Sequence, residues 1–338
     1  MEALLNPADA PTLRWGVLGC GQVARSVMTC LRRATKQKPV AVAARSAARA
    51  QSFAQEFEIP SSYGSYAELV ADPDVDVVYI ATVHSTHFDN AKLALEAGKP
   101  VLLEKAFTMN QAEARTLADL AASKGLFLME ALWTRFLPHM VELRNRINSG
   151  ALGELRYAHA DFGFRNDYDP ATRFYDPAVG GGALLDRGVY PVSWVVGLMG
   201  LPEAVSGRAV LTPDGVDAQI SAVLDYPSQS AQALVESALN VTTPQEAWAA
   251  GSDGMVRVRR PFWIPTVLEI HQAGRDVETW EHPVVARGYE YELAEVARQI
   301  AAGATESPAM PLRETVAIMG ILDELRSQCG IKFPGETP

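Results

Sequence analysis

Three residues in this 338-residue sequence have the types and the spacing that proton transfer requires. Lys105 follows directly after the apolar run PVLL and the carboxylate Glu104. Asp186 and Tyr190 lie four residues apart in GGGALLDRGVY, so a helix there would place both side chains on one side. A tyrosine with its ordinary pKa of about 10 is a poor base, but a neighbouring ammonium favours the phenolate. Together these residues could take the proton of an alcohol while that alcohol is oxidised.

Each of these residues also has a purely structural explanation. Asp186 suits the first turn of a helix, where the dipole favours a carboxylate, and Tyr190 suits a packed core with a bonded hydroxyl. Lys105 could be an ordinary surface charge. Its place at the end of an apolar run favours a functional interpretation, because parallel strands bind ligands at their carboxyl ends. Glu104 would then orient Lys105 or contact a cofactor.

A glycine turn lies near the start of the chain, in GVLGCGQVA. Gly19, Gly21 and Ala24 have the spacing G-x-G-x-x-A, directly after an apolar strand and at the head of a helix. Gly19 permits the tight turn, Gly21 lets a pyrophosphate approach the backbone, and Ala24 lets the helix pack closely. The helix N-terminus, with Gln22 and Val23, would face the phosphates. We therefore predict that this turn binds a dinucleotide cofactor.

The next strand indicates which dinucleotide is bound. Recognition of a ribose hydroxyl needs an acidic residue about 20 positions after the glycines, and none is present. The strand instead ends in ARSAARA, where Arg45, Ser46 and Arg49 suit a 2′-phosphate. The two arginines could also be solvated residues at a helix start. We expect NADP, with NAD as the alternative.

Further cofactor contacts are expected in IATVHSTHF. Thr82, His84 and His87 follow a buried strand and begin the next helix. Metal binding by the two histidines is the alternative, but no acidic or cysteine ligand accompanies them at a recognisable spacing. We predict that these residues cap the helix or contact the cofactor, and that the protein holds no metal.

The glycine turn, the histidine segment and Lys105 all belong to a stretch in which strand and helix patterns alternate. This alternation continues to about Ala131. Strand patterns such as VDVVYIAT and PVLLEK alternate with helical patterns such as NQAEARTLADLAASKG. The alternation predicts an α/β domain with a doubly wound parallel sheet, a Rossmann domain, over residues 12–131. Over residues 132–338 the strands shorten and are joined by Asp, Gly and Pro turns. We predict an α+β domain there, with an open-faced, predominantly antiparallel sheet and helices.

Composition argues against several classes of function. The apolar fraction of 48% can fill two cores, and a formal charge of -10 without a dense basic block argues against nucleic acid and acidic membranes as partners. Three cysteines without CxxC spacing argue against a disulfide framework or a zinc site. The sequence shows no signal-peptide pattern and no membrane-spanning apolar run. We expect a cytoplasmic protein with a small-molecule substrate.

The markers GVLGCGQVA, ATVHSTHFDNAKLALEAGKPVLLEKA and GGGALLDRGVY make the chain resemble the glucose-fructose oxidoreductase, inositol dehydrogenase and MocA (Gfo/Idh/MocA) family over nearly its whole length. Segments including FLMEALWTRFLP and LGELRYAHADFGF are most similar to the dimeric dihydrodiol dehydrogenases of that family. The resemblance implies NADP-dependent oxidation of a trans-dihydrodiol of an aromatic hydrocarbon, or of a pyranose sugar. It also implies that Lys105 and Tyr190 are catalytic and that Asp186 is the aspartate of the motif.

The resemblance implies further contacts and an assembly. Trp133, Phe162 and Trp263 would line the substrate site and Arg135 the cofactor site, although both tryptophans could be core residues. The family's Glu-Lys-Pro is Glu-Lys-Ala here. Relatives often have a cis bond before that proline, so Ala106 leaves the isomer of this bond open. The antiparallel sheet of the family commonly joins copies of the chain, which implies a homodimer or a homotetramer.

Two other functions stay open from the sequence. Some members of the family bind a nicotinamide without catalysis, and distant relatives use tightly held NAD to activate a sugar for elimination, as glycosidases. The presence of Lys105, Asp186 and Tyr190 favours the dehydrogenase. The exact substrate, its stereochemistry and the physiological direction do not follow from residue spacing.

Overall fold

The structure, a computed structural model, describes residues 4–334. The chain forms two compact units. The first, which we call the parallel-sheet unit, consists of residues 5–136 and 284–316. The second, the mixed-sheet unit, consists of residues 137–283 and 317–334 among the described residues. Residues 284–316 therefore differ from the sequence prediction, which placed them in the C-terminal domain.

The parallel-sheet unit is built on a six-stranded sheet: β1 (Arg14–Leu18), β2 (Lys38–Ala43), β3 (Ser61–Tyr63), β4 (Val77–Ile80), β5 (Val101–Glu104) and β6 (Leu128–Ala131). The strand order is β3-β2-β1-β4-β5-β6, and all neighbours are parallel. The residues of β4, β5 and β6 are all buried, as expected when helices cover both faces of a sheet. The predicted doubly wound sheet is confirmed. Only the short strand β3 was missed, because three residues leave no pattern.

The helices of residues 4–334 include those of the predicted alternation, whereas the short helix Tyr66–Val70 was not predicted. Ser46, Ser65 and Asn110 cap three of those in the parallel-sheet unit, each accepting a backbone amide through its side chain. None of these helices combines the length and the apolar character needed to cross a bilayer. They are α1 (Gln22–Ala34), α2 (Ala47–Phe57), α3 (Tyr66–Val70), α4 (His87–Glu96), α5 (Gln111–Lys124), α6 (Pro138–Asn148), α7 (Val189–Met199), α8 (Tyr289–Ala301) and α9 (Leu312–Cys329).

The mixed-sheet unit is built on an eight-stranded sheet: β7 (Leu155–Gly163), β8 (Ala204–Leu211), β9 (Asp217–Tyr226), β10 (Ala231–Ala238), β11 (Ala247–Gly251), β12 (Gly254–Val258), β13 (Leu268–Gln272) and β14 (Glu278–Trp280). The order is β14-β13-β12-β11-β7-β10-β9-β8. Only β7 and β10 pair in parallel, so the prediction of a predominantly antiparallel sheet is confirmed. The strands β11 and β14 were missed.

Helix α8 explains why residues 284–316 belong to the parallel-sheet unit. It contacts α1, and its buried residues Ala294 and Ala297 pack with Ala10. A helical period in the sequence identifies a buried face, but it does not identify the element that covers that face. The prediction therefore assigned α8 by its position in the chain.

A buried amide links the start of β1 to the segment before β2. Trp15 is fully buried, and its indole Nε1 donates to Gln37 Oε1 at 2.9 Å. The same oxygen accepts from the Leu13 amide at 3.0 Å, while Gln37 Nε2 donates to Pro11 O at 2.7 Å. A buried donor that loses its acceptor keeps the whole cost of its desolvation. The Gln37 amide therefore stabilises the first strand of the sheet.

We expect Gln37→Leu to lower the free energy of unfolding by about 1–3 kcal/mol, because the Trp15 indole N–H would be buried without an acceptor. Chemical denaturation followed by tryptophan fluorescence measures this change. The matched control is Gln51→Leu on the exposed side of α2, which should change the free energy by less than about 0.5 kcal/mol. Equal effects of the two substitutions would contradict the stabilising role of Gln37.

Candidate active site

The glycine turn between β1 and α1 has room for a ligand on one side and none for a larger residue on the other. Gly19 has a φ of +101°, and a Cβ there would lie 2.4 Å from the carbonyl oxygen of Ala81. A Cβ on Gly21 would meet no atom of residues 4–334 within 4 Å. Ala24 is fully buried at the start of α1. The three positions thus meet the requirements of a dinucleotide turn.

The N-terminus of α1 opens at this turn. Gly21 is the N-cap and, having no side chain, leaves the first amides of the helix to a ligand. The first two residues of the helix, Gln22 and Val23, are exposed. Arg25 Nη1 donates to Cys20 O at 2.8 Å and fixes the loop. A helix N-terminus with available amides suits a pyrophosphate.

Basic residues lie together at the end of β2. Ser46 is the N-cap of α2, and its Oγ accepts from the Arg49 amide at 3.5 Å. Arg45 and Arg49 are exposed. Tyr66, at the start of α3, lies near both: burial raises the pKa of its phenol, and the two guanidinium groups oppose that rise. Tyr66 was not predicted, because a tyrosine at a helix start gives no cofactor signal in the sequence.

A buried histidine links the segments that follow β4 and β5. His87 is fully buried, with Nδ1 2.9 Å from Ala106 O and Nε2 3.3 Å from Thr82 O. Burial, together with the neighbouring His84, lowers the pKa of His87 to about 3, so its ring is neutral. Thr82 Oγ1 accepts from Asn90 Nδ2 at 3.1 Å. Within residues 4–334, no group of three His, Cys, Asp or Glu residues has a geometry that could hold a metal ion.

Glu104 and Lys105 lie at the carboxyl end of β5. Glu104 is buried and accepts from the Tyr79 hydroxyl at 2.6 Å and from the Lys105 amide at 3.2 Å. Burial and the Glu104 carboxyl group raise the pKa of Tyr79 well above its ordinary value, so this phenol stays a donor. Lys105 is partly exposed, and its peptide bond to Ala106 is cis. Glu104 thus fixes the backbone of Lys105.

The carboxyl ends of β1, β4 and β5 lie side by side, because these strands are neighbours in the sheet. The glycine turn, Thr82 and Lys105 follow these three ends in turn. The strand order reverses between β1 and β4, and open α/β sheets bind their ligands at such a reversal. The predicted cofactor residues of these segments therefore share one edge of the parallel-sheet unit.

Two further buried carboxyl groups lie near Glu104 and were not predicted. Glu130 lies on β6, the neighbour of β5, and Glu292 lies on α8. Burial, with a contribution from Glu104, raises the pKa of Glu130 to about 7 and that of Glu292 well above its ordinary value. Burial thus disfavours the charged form of both carboxyl groups. An acidic residue inside the apolar pattern FLMEAL was the available signal for Glu130.

Trp133 and Arg135, which follow β6, have partners inside the parallel-sheet unit. The Trp133 ring is buried and stacks on Tyr289, with the ring centroids 4.2 Å apart. Arg135 is buried and forms an ion pair with Glu314. The structure therefore gives both residues a packing role, while their contacts with substrate and cofactor stay predictions.

The segment that carries the predicted proton-transfer residues is helical, as expected, but it begins as a π-helix. Leu184–Gly188 forms the π-helix, and α7 continues from Val189. The Val189 amide donates to Leu184 O, one residue further back than in an α-helix. Pro191, which has no amide hydrogen, cannot supply one of the α-helical bonds. Turns of this kind are frequent at functional sites.

Asp186 lies between two arginines. Its carboxylate is buried, with Oδ1 3.0 Å from Arg173 Nη1 and Oδ2 3.7 Å from Arg187 Nε. Arg187 is itself buried and donates to the carbonyl oxygens of Phe164 and Ala238. The two guanidinium groups thus hold the carboxylate in place. Arg173 was missed because it lies in an irregular segment without a pattern.

Three of the predicted site residues form one aromatic cluster in the mixed-sheet unit. Phe162 stacks on Trp263, with the ring centroids 3.4 Å apart, and meets Tyr190 edge-on at 5.4 Å. The Arg187 guanidinium lies 6.0 Å from the centroid of the Phe162 ring. Tyr190 is only 8% exposed, so its ring is firmly held. Such a wall suits the face of a sugar or a dihydrodiol ring.

Comparison with known proteins bears out the resemblance seen in the sequence. Residues 13–132 match the family described as "Oxidoreductase family, NAD-binding Rossmann fold", and residues 140–257 match the "GFO/IDH/MocA C-terminal domain". The trans-1,2-dihydrobenzene-1,2-diol dehydrogenase of Mus musculus is 37% identical over 334 residues, and its Homo sapiens namesake is 39% identical over 332 residues. Both alignments cover 95% of this chain and 98% of the relative.

Solved structures share the fold. A 3-ketoreductase from Actinomadura kijaniata, in complex with NADP and TDP-benzene, has a TM-score of 0.84 at 25% identity. An aldose-aldose oxidoreductase from Caulobacter crescentus, complexed with glycerol, has a TM-score of 0.85 at 24% identity and supports the fold alone. Each comparison covers 94% of this chain and 98% of the other. The chain belongs to the Gfo/Idh/MocA family of oxidoreductases, and residues 13–132 of its parallel-sheet unit form the NAD-binding Rossmann fold of that family.

Proposed function

We propose that this chain is an NADP(H)-dependent dehydrogenase that transfers hydride between nicotinamide and a hydroxyl-bearing carbon of a trans-dihydrodiol or a pyranose sugar. The observation that carries the proposal is the single sheet edge shared by the glycine turn and Lys105. Residues at this edge can bind a dinucleotide and can also act on a substrate oxygen. Relatives named as dihydrodiol dehydrogenases support the reaction.

The parallel-sheet unit fits NADP better than NAD. The open space at Gly21 suits a pyrophosphate, and a bound nicotinamide would supply the hydride acceptor. Arg45 and Arg49 offer two guanidinium groups to a 2′-phosphate, with the hydroxyls of Ser46 and Tyr66 nearby. The segment ARSAARA contains no acidic residue that could accept from a ribose hydroxyl. The residues present thus favour the phosphorylated cofactor.

Tyr190 is the proposed acceptor of the substrate's hydroxyl proton. Lys105 would donate a hydrogen bond to the same substrate oxygen, and its positive charge would favour the phenolate of Tyr190. Asp186, held by Arg173 and Arg187, would steady the segment on which Tyr190 lies. These three residues provide the proton transfer that must accompany the removal of hydride from carbon.

Phe162 and Trp263 are the proposed wall for the substrate ring. Their stacked rings lie against Tyr190, so a ring packed on this wall would carry its hydroxyl groups close to the phenol. Trp133 stacks on Tyr289 within the parallel-sheet unit, and its contact with substrate stays a prediction. We therefore assign the wall to Phe162 and Trp263.

The mixed sheet is the proposed contact between two copies of the chain. Four half-buried side chains form a row across four neighbouring strands: Val223, Leu234, His159 and Trp248. Tyr157 lies on the same face and stacks on Trp248, with the ring centroids 5.2 Å apart. Apolar and aromatic side chains left half-exposed in this way suit burial against a second copy.

We expect the purified protein with NADP⁺ to oxidise at least one member of a panel of trans-dihydrodiols and aldoses. The increase in absorbance of the reduced nicotinamide measures the turnover. Binding of NADP⁺, measured by calorimetry on the same sample, is the control. Normal binding without turnover of any member would contradict the substrate assignment.

Tyr190→Phe should lower kcat by about 10²–10⁴-fold, because the substrate proton would lose its acceptor. The Kd for NADP⁺ should stay close to that of the unchanged protein. Tyr157→Phe, a tyrosine on the face of the mixed sheet, is the matched control and should keep its kcat. Similar kcat values for the two variants would remove Tyr190 from the proposed chemistry.

Arg45→Ala and Arg49→Ala should each raise the Kd for NADP⁺ about 10-fold to 10²-fold, because a hydrogen bond to a charged group is worth about 1.5–3 kcal/mol. The Kd for NAD⁺ should not change, since that cofactor has no 2′-phosphate. Arg33→Ala, which alters another exposed arginine at the end of α1, is the control. A parallel loss of affinity for both cofactors would show that the two arginines do not read the 2′-phosphate.

A further inference from the structure

The carboxyl group of Asp217 lies against the start of the helical segment that carries Asp186 and Tyr190. Asp217 is the first residue of β9 and is 2% exposed. Its Oδ2 accepts from the Leu184 amide at 2.6 Å. Leu184 is the first residue of the π-helix and precedes both Asp186 and Tyr190 on the same continuous segment. A side chain from a neighbouring strand therefore fixes the first turn.

Gly182 allows the backbone to come this close to the carboxyl group. Its φ is +136°, and a Cβ there would lie 2.2 Å from Asp217 Oδ1 and 3.1 Å from Asp217 Cγ. Any other residue would have to displace the carboxyl group. The carbonyl oxygen of Gly182 also accepts from the Asp186 amide at 3.3 Å. Gly182, the last glycine of the GGG motif, therefore leaves room for the Asp217 carboxyl group and accepts a hydrogen bond from the helical segment that follows.

Burial makes the charged form of the Asp217 carboxyl group costly in free energy, because the group loses its contact with water. Burial raises the pKa of Asp217 to about 7, although the amides of Leu184 and Ala183 and the Arg326 guanidinium oppose the rise. Ala183 and Val216, the chain neighbour of Asp217, belong to an apolar core cluster. An apolar side chain in this place would avoid the desolvation cost of the carboxyl group. It would also leave the Leu184 amide without this acceptor, so the carboxyl group offsets part of its desolvation cost by fixing the backbone of the first turn.

By accepting the Leu184 amide at the first turn, Asp217 also fixes the position of the residues that follow on the same helical segment. A carboxyl group accepts from a backbone amide in either protonation state, and the bond is stronger in the charged form, which the helix dipole favours at an N-terminus. Since the π-helix runs without a break into α7, a shift of Leu184 would shift Asp186 and Tyr190 with it. A misplacement of about 1 Å at a catalytic group can cost about 10²-fold in rate.

We propose that Asp217 is a positioning residue for proton transfer, because through the Leu184 amide it sets the place of Asp186 and Tyr190. The inference rests on the proposed function, in which Tyr190 accepts the substrate proton. Asp217 needs no contact with substrate or cofactor, since it acts through the backbone alone.

Asp217→Ala removes the acceptor, and Asp217→Asn keeps one acceptor oxygen. We expect kcat to fall about 10-fold to 10²-fold in Asp217→Ala, with the Kd for NADP⁺ unchanged, and most of the loss to be restored in Asp217→Asn. Asp225→Ala, at the other end of β9, is the matched control. The Asp225 carboxylate accepts from Gln232 at 2.9 Å on an exposed part of the strand, and its loss should leave kcat unchanged.

Hydrogen–deuterium exchange supplies a readout that does not need turnover. The amides of residues 183–190 should exchange faster in Asp217→Ala than in the unchanged protein or in Asp225→Ala, while those of β1 to β6 should not change. If Asp217→Ala does not fold, Asp217→Leu replaces it in both measurements, because leucine fills the apolar site and also lacks an acceptor.

The two measurements separate the inference from the function on which it rests. If the unchanged protein turns over no substrate, the proposed function fails, and the exchange of residues 183–190 alone decides the role of Asp217. The inference is overturned if a folded variant that lacks the acceptor shows the same amide exchange in residues 183–190 as the unchanged protein. Where turnover is measurable, the variant would also have to keep the kcat of the unchanged protein.

Discussion

The two segments that we propose for cofactor binding and proton transfer can form only where a side chain is missing. Gly19 lies where a Cβ would meet the carbonyl oxygen of Ala81, and Gly182 lies where a Cβ would meet the carboxyl group of Asp217. Both glycines have a positive φ, which other residues rarely adopt. In each unit the missing side chain lets a helical segment begin directly against a neighbouring strand. The proposed cofactor turn and the proposed proton-transfer segment are each built on one such close approach.

Buried polar groups then hold the side chains that follow these helix starts and strand ends. Glu104 accepts the Lys105 amide, and the Asp186 carboxylate lies between Arg173 and Arg187. A buried charge is tolerated where hydrogen bonds or an opposite charge compensate its desolvation. Each unit thus fixes its own proposed site residues through local partners. The proposed chemistry depends on these contacts as much as on the site residues themselves.

Short-range patterns predicted the fold and those site residues that follow a strand or a glycine turn. The glycine turn and Lys105 were placed in this way, because the end of a strand fixes where the next residue lies. Short-range patterns could not identify Tyr66 and Asp217, because their proposed roles depend on which element packs beside them. The same limit applies to the stacking of Trp133 on Tyr289, which no pattern in the sequence indicates. Periodicity shows that a side chain is buried, but not against what.

The central claim is that Lys105 and Tyr190 act on one substrate oxygen beside a bound nicotinamide. A crystal structure of the protein with NADP⁺ and a polyol substrate tests this claim most directly. We predict that Lys105 Nζ and the Tyr190 hydroxyl both lie within hydrogen-bonding distance of one substrate hydroxyl, on the face of the nicotinamide that accepts hydride. Electron density that places the two groups on opposite sides of the nicotinamide ring would contradict it.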